Sequence, residues 1–229
     1  MALKSGMAAQ VGLKTESTYG TAVTVDRFTP LVSESMTEQI ARMESAGIVP
    51  DRRVLASQQW AAGDVEVSGD LGLELYQQGM GLWFRHMFGA VSTSGAGPYT
   101  HTFTPGDLTD DHFTLQIGKP DVGGTVQPFT YAGCKVTEWE LAAKAGELVT
   151  LGVSVVGRDL ATATSLATAS YGTGSGLPFS FAHASVTVGG SAAYVKEITL
   201  KGSNGLAVDR RGIGSAYIKE PLEAELRTY

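Results

Sequence analysis

Cysteine is almost absent: Cys134 is the only one in 229 residues. No intrachain disulfide and no cysteine-based zinc cluster can form, and in an alternating segment a lone cysteine reads as a small buried hydrophobe. Cations are scarce too, with 17 Lys and Arg against 23 Asp and Glu and a net charge of −6. Gripping DNA requires phosphate neutralisation, so tight nucleic-acid binding is not expected. No apolar run is long enough to span a bilayer, and the N-terminus lacks the charged-then-apolar order of a signal peptide. The chain is therefore expected to fold in the cytoplasm, with no membrane partner.

Catalytic signatures are missing as well. There is no G-x-S-x-G elbow, P-loop or H-E-x-x-H pair. "YGTGSG" (171–176) has spaced glycines but opens no helix, so it is not a phosphate cradle. His86 sits in a helical pattern, while His101 and His183 sit in strand-like ones, and all three read as structural. "DDH", Asp110 to His112, has the residue types of a metal site, but adjacent residues on an extended chain point to opposite faces. No catalytic residue, cofactor or metal is assigned, and the chain is read as a non-enzyme.

What is present is glycine and alternation. The 29 glycines are about twice the usual share and favour many turns, so a mainly β chain is expected. "DVEVSGDLGLEL", from Asp64, sets Val65, Val67, Leu71, Leu73 and Leu75 against Asp64, Glu66, Ser68 and Asp70, a half-buried strand with an acidic face. Leu75, Met80, Trp83, Phe84, Met87 and Phe88 then recur at helical spacing before Gly89, which predicts one principal helix over about 73–88. "YAGCKVTEWELAAKAGELVTLGVSVVGRD" predicts a β-hairpin with strands at about 134–143 and 148–157. Its first strand is read with Val136, Glu138 and Glu140 on one face and Thr137, Trp139 and Leu141 on the other.

The remaining segments read as connections. Residues 1–25 are rich in Thr and Gly without sustained alternation and predict an arm outside the core. Residues 34–63 show no firm strand pattern, and 160–176 form an exposed low-complexity linker. Two Arg-Arg pairs, Arg52 with Arg53 and Arg210 with Arg211, are either solvated charge or contacts to acidic residues of a neighbouring copy. "LEAELRTY" alternates but stops without a turn, which suggests a native chain continuing past Tyr229. A β-sandwich binding or adhesion module, of carbohydrate-binding or surface-layer type, is the competing reading, with Trp60, Trp83 and Trp139 as its aromatic platforms.

An ordered series of short features resembles the tail tube proteins of long-tailed, non-contractile bacteriophages. The series runs "GLKTESTYGTAVTVDRFTPLVSESM", "GIVPDRRV", "AAGDVEVSGDLGLEL", "GMGLWFRHMFG", "YTHTFTP" and the hairpin quoted above. The resemblance implies a β-sandwich or partial barrel with a flanking helix, assembling into hexameric rings that stack into a tube for genome ejection. It implies an N-terminal arm (1–33, with Glu16, Tyr19 and Gly20), a long inter-ring loop (34–63) and a tube domain (64–229). It also implies self-contacts, here offered by the Arg pairs, and tape measure, tail terminator and tail tip partners. DNA would pass through the lumen without specific binding. Asp64, Glu66, Asp70, Glu138, Glu140 and Glu147 are the candidates for an acidic lumen, where repeated attraction would arrest the polymer. The expected location is the virion tail, reached from the host cytoplasm.

Overall fold

The computed structural model describes residues 6–171 and 176–229. Residues 1–5 of the expected arm and 172–175, within "YGTGSG", lie outside the described residues.

The strands are β1 (Gln10–Thr15), β2 (Arg27–Thr29), β3 (Leu31–Glu34), β4 (Thr37–Glu44) and β5 (Trp60–Glu74). After helix α1 (Gly81–Phe88) come β6 (Gly89–Ser94), β7 (Thr100–Pro105), β8 (Phe113–Pro120), β9 (Val126–Lys144), β10 (Thr150–Gly157) and β11 (Asp159–Ala161). Shorter pieces follow: β12 (Thr187–Val188), β13 (Ser191–Ala192), β14 (Glu197–Ser203), β15 (Leu206–Ala207) and β16 (Leu222–Glu223).

The main sheet has ten strands in the order β2-β1-β8-β9-β10-β5-β3, with β11 and β14 also on β9 and β4 also on β5. Its pivot is β9, 19 residues long. The first half of β9 pairs with β8 and β11, and the second half with β10 and β14. One bent strand thus belongs to two sheets. The bend falls at Gly133, with φ at +64°. A Cβ there would lie 2.8 Å from the Tyr19 ring and 2.9 Å from Arg158 Cβ, so both conformation and space demand glycine.

A single core lies between the two sheets. Val11, Leu13, Phe113, Leu115, Ile117 and Tyr131 enter it from one side, and Val65, Val67, Leu71, Leu73, Leu151, Val153 and Val155 from the other. Met80, Trp83 and Met87 fill in from the helix region. Burying each large apolar side chain contributes about 1.5–3 kcal/mol, which offsets the chain entropy lost in so many turns. The mainly β architecture with one flanking helix is the expected one, and the alternation of β5 is realised along its length.

Four details differ from the sequence expectation. The helix starts at Gly81, not near 73, because residues 73 and 74 pair with β10 and Gly79 takes φ of +85°. Its end at Gly89 is as expected, with the Gly89 amide donating to Arg85 O. Residues 10–15 are not free: β1 lies between β2 and β8 with Val11 and Leu13 fully buried. Residues 37–44 form β4 and pair with β5 as a long hairpin, Glu44 opposite Trp60. Nearly every β4 side chain is exposed, so no apolar alternation exists there to be read.

The fourth concerns the linker, which is stitched down by glutamine and threonine side chains. Gln116 Nε2 donates to Ser165 O (3.1 Å), the Ala167 amide donates to Gln116 Oε1 (2.8 Å), and Gln10 Nε2 donates to Ala167 O (2.8 Å). Thr130 Oγ1 and Thr164 Oγ1 are 2.6 Å apart.

Candidate functional site

The second sheet, β14-β9-β10-β5 with β3 and β4 on its far side, turns one face to the core and the other to solvent. The solvent face is built in cross-strand rows. One row runs Ser203, Glu138, Ser154, Asp70, and the next runs Lys201, Glu140, Gly152, Gly72, Ser33. Between these rows Trp139, Val153 and Leu71 point inward and are buried.

Charge on this face is partly tied down. Ser154 Oγ donates to Asp70 Oδ1 at 2.6 Å, and Lys201 Nζ lies 2.7 Å from Glu140 Oε2. Glu138 and Glu66 stand exposed on the same face, which is low where glycine and serine occupy the centre. Asp64 is farther along β5, 64% exposed at its side chain and 3.8 Å from Arg211 Nε. Glu147 lies in the turn after β9, 3.0 Å from Lys144 Nζ, at the end of the sheet and outside the rows. The structure therefore gathers Asp70, Glu138 and Glu140, extends them through Glu66 toward Asp64, and leaves Glu147 apart.

The hairpin face differs from the sequence reading at one position. Ser154 pairs with Glu138, but Val155 pairs with Val136, so Thr137 is an extra residue in β9. This bulge turns Val136 into the core, away from Glu138 and Glu140. Asn204 holds the bulge: its amide donates to Thr137 O (2.8 Å) and its Nδ2 to Val136 O (2.9 Å). No alternation pattern carries that information.

Glu16, Tyr19 and Gly20 turn into their own subunit, contrary to the reading of an arm presented to a neighbour. Glu16 is buried and accepts from Thr114 Oγ1 (2.8 Å), the Gly133 amide (2.9 Å) and the Gly20 amide (2.9 Å), with His112 Nδ1 at 3.2 Å. Burial alone would push its carboxyl up, but these hydrogen bonds outweigh it and hold the group below the ordinary carboxylate value. Tyr19 packs edge-on against His112, and burial raises its phenol well above normal.

The Arg pairs divide. Arg210 donates through Nη1 to Glu220 O, and Arg211 through Nη2 to Val65 O at 2.8 Å, so both serve their own chain. Arg52 and Arg53 stand exposed in the hairpin tip. Of the tryptophans, Trp83 and Trp139 are buried, which removes them as platforms. Trp60 is half-exposed with the Arg42 guanidinium 5.1 Å from its ring centroid.

Thr15 Oγ1, His86 Nε2, His86 Nδ1 and Asp111 Oδ1 follow one another at 3.2 and 3.1 Å, in the order of a nucleophile, base and acid. His86 is 1% exposed with its ring 4.6 Å from that of Phe113, so no substrate reaches it. The group ties α1 to β1. Sequence reasoning also missed Lys135, which is 2% exposed and reaches Leu108 O (2.6 Å), Pro221 O (3.0 Å) and Glu220 Oε1 (2.5 Å). A lysine inside an apolar strand run was the signal available for it.

An accessible polar sheet face and long exposed hairpin, with the buried histidines engaged in packing, define a structural building block. The chain belongs to the phage tail tube protein family, whose family model matches residues 6–227. It is a structural protein of the virion tail, not an enzyme. No curated protein matches the chain. Among solved structures it is similar to the anti-feeding prophage cap, a tube-terminating cap seen by cryo-EM, at 11% identity and TM-score 0.40, over 70% of this chain and 90% of that chain. No helix among the described residues is long and apolar enough to cross a membrane.

Proposed function

We propose that this chain is the repeating subunit of a tail tube, closing into hexameric rings whose bore is lined by the face carrying Asp70, Glu138 and Glu140. The observation that carries this reading is a polar sheet face flanked by two edges. At one side β14, among the described residues, pairs only with β9 along Glu197–Gly202, and at the other β3 and β4 lie outside β5. Pairing one copy's β14 edge with the next copy's β3 and β4 edge is a heterologous contact, which generates a ring when the rotation closes. Closure satisfies the free backbone groups of both edges and continues the acidic face around a bore.

The β4–β5 hairpin is the element proposed to reach the adjacent ring. Its tip, 45–59, exposes Ile48 and Val54 together with Arg52 and Arg53, apolar and cationic groups left without cover in the subunit. An acidic bore suits genome ejection, because DNA then passes without adhering. Tape measure, terminator and tip proteins are the expected further partners of such a tube.

Negative-stain electron microscopy of the purified protein over a concentration series tests the proposal. Hollow tubes or stacked rings of uniform width are expected. Single particles at every concentration, with and without purified tail tip complex as a nucleus, would overturn it.

A further inference from the structure

The loop between β7 and β8 distributes its acids to two sides. Asp111 faces α1, with one carboxylate oxygen 3.1 Å from His86 Nδ1 and 3.4 Å from Arg85 Nε. Asp110 and His112, two residues apart, share the other side and meet Glu220 from the C-terminal segment. One ring nitrogen of His112 and one carboxylate oxygen each of Asp110 and Glu220 lie within 4.8 Å of one another. Asp110 reaches that side from a turn, at a left-handed backbone position with φ of +59°. The third group arrives only through folding.

Three further properties make this more than a chance meeting. A nitrogen and two carboxylates form a donor set suited to first-row divalent cations, whereas imidazole disfavours magnesium and calcium. His112 is buried and its Nδ1 is held by Glu16 Oε2 at 3.2 Å, the carboxylate–histidine pairing that orients an imidazole and leaves its other nitrogen to coordinate. Beside it the Tyr19 ring packs at 5.4 Å, and the Tyr19 hydroxyl is buried with no hydrogen-bond partner among the described residues.

Three carboxylates gather here, Asp110 and Glu220 at the site and Glu16 behind His112, while the nearby cations are Lys135 on the Glu220 carboxylate and Arg210 on the Glu220 backbone carbonyl. Lys135 Nζ and the Asp110 amide both engage Glu220 Oε1, at 2.5 and 2.8 Å, which leaves Oε2 for a ligand. We propose that Asp110, His112 and Glu220 bind one divalent cation of the zinc class, with water completing the coordination. Such an ion fastens the β7–β8 loop to the C-terminal segment, and the assignment is independent of the tube reading.

Cobalt(II) titration of tag-free, chelator-treated protein is the test. Visible absorption bands saturating at one equivalent and abolished by Zn²⁺ are expected, with a rise in thermal midpoint on loading. Asp110 is exposed, so Asp110→Asn should keep the metal-free midpoint while weakening Co²⁺ binding by about tenfold or more. Glu220→Gln, checked for folding by circular dichroism, should weaken it similarly. His101→Ala and His183→Ala, at exposed histidines elsewhere, should leave it unchanged. No saturable band in the unmodified protein, or Asp110→Asn binding with unchanged affinity, would overturn the proposal.

Discussion

Ser154 on β10 donates its hydroxyl proton to Asp70 on β5 across 2.6 Å, on the solvent face of the second sheet. The same Ser154 pairs with Glu138 on its other flank, so one small residue sets two acids on neighbouring strands at a common height. A larger residue there would divide the face. Ser154 leaves it low and polar, as the bore surface proposed above requires.

Replacing Asp70 and Glu138 together by lysine reverses the charge at the centre of this face. Both side chains are solvent-facing, so the subunit should lose no more than about 1 kcal/mol. Tubes should still assemble, while genome delivery falls because each ring now presents cations to phosphate. Infectivity of virions carrying the double variant checks this, and wild-type infectivity would remove the face from the bore.

Glu16 fastens the turn after β1 to Gly133 and Thr114, so Glu16→Ala strands several buried donors. A loss of about 2–4 kcal/mol is expected, read as a lower urea midpoint.

Acidity acts on the same carboxyl. Its folded value lies below the ordinary glutamate value of 4.5, so its stabilisation is fully present above that pH and is lost as pH falls through the folded value. The stability difference between the natural protein and Glu16→Gln should therefore shrink on acidification below about pH 4.5. A constant difference across that range, measured by thermal unfolding, would contradict the assignment.

Gly133→Ala forces a Cβ toward Tyr19 and Arg158 at a left-handed backbone position. A cost of about 2 kcal/mol or more is expected from strain and overlap combined. Chemical denaturation should show a lower midpoint at unchanged slope.

Shortening the hairpin tip by replacing residues 47–56 with Asn-Gly removes exposed chain and leaves β4 and β5 paired through their body. The subunit should keep its thermal midpoint within a few degrees, and stacked tubes should no longer form in electron micrographs. Deleting residues 1–20 is a poorer probe of stacking, since it removes β1 and Glu16 from the core.

The sequence alone determined whatever rests on local periodicity. Alternation over 64–73 named the buried and exposed sides of β5, the hairpin pattern placed a strand at about 148–157, and Gly89 marked the helix end. It also gave the mainly β class, and the order of short motifs gave the family. Tertiary structure decided whatever depends on a partner distant in the chain. β1 became core because β8 and β2 cover it, although its own few apolar residues are too short a pattern to show burial. β4 is a strand because β5 supplies its hydrogen bonds, which leave no trace in exposed side chains. Val136 changed face through one extra residue, Thr137, and Asn204 satisfies the carbonyls of both. Glu16, Lys135 and the trio Asp110, His112 and Glu220 acquired their roles only when folding desolvated them beside partners, since the strength of a charge interaction depends on the surroundings that the whole fold creates.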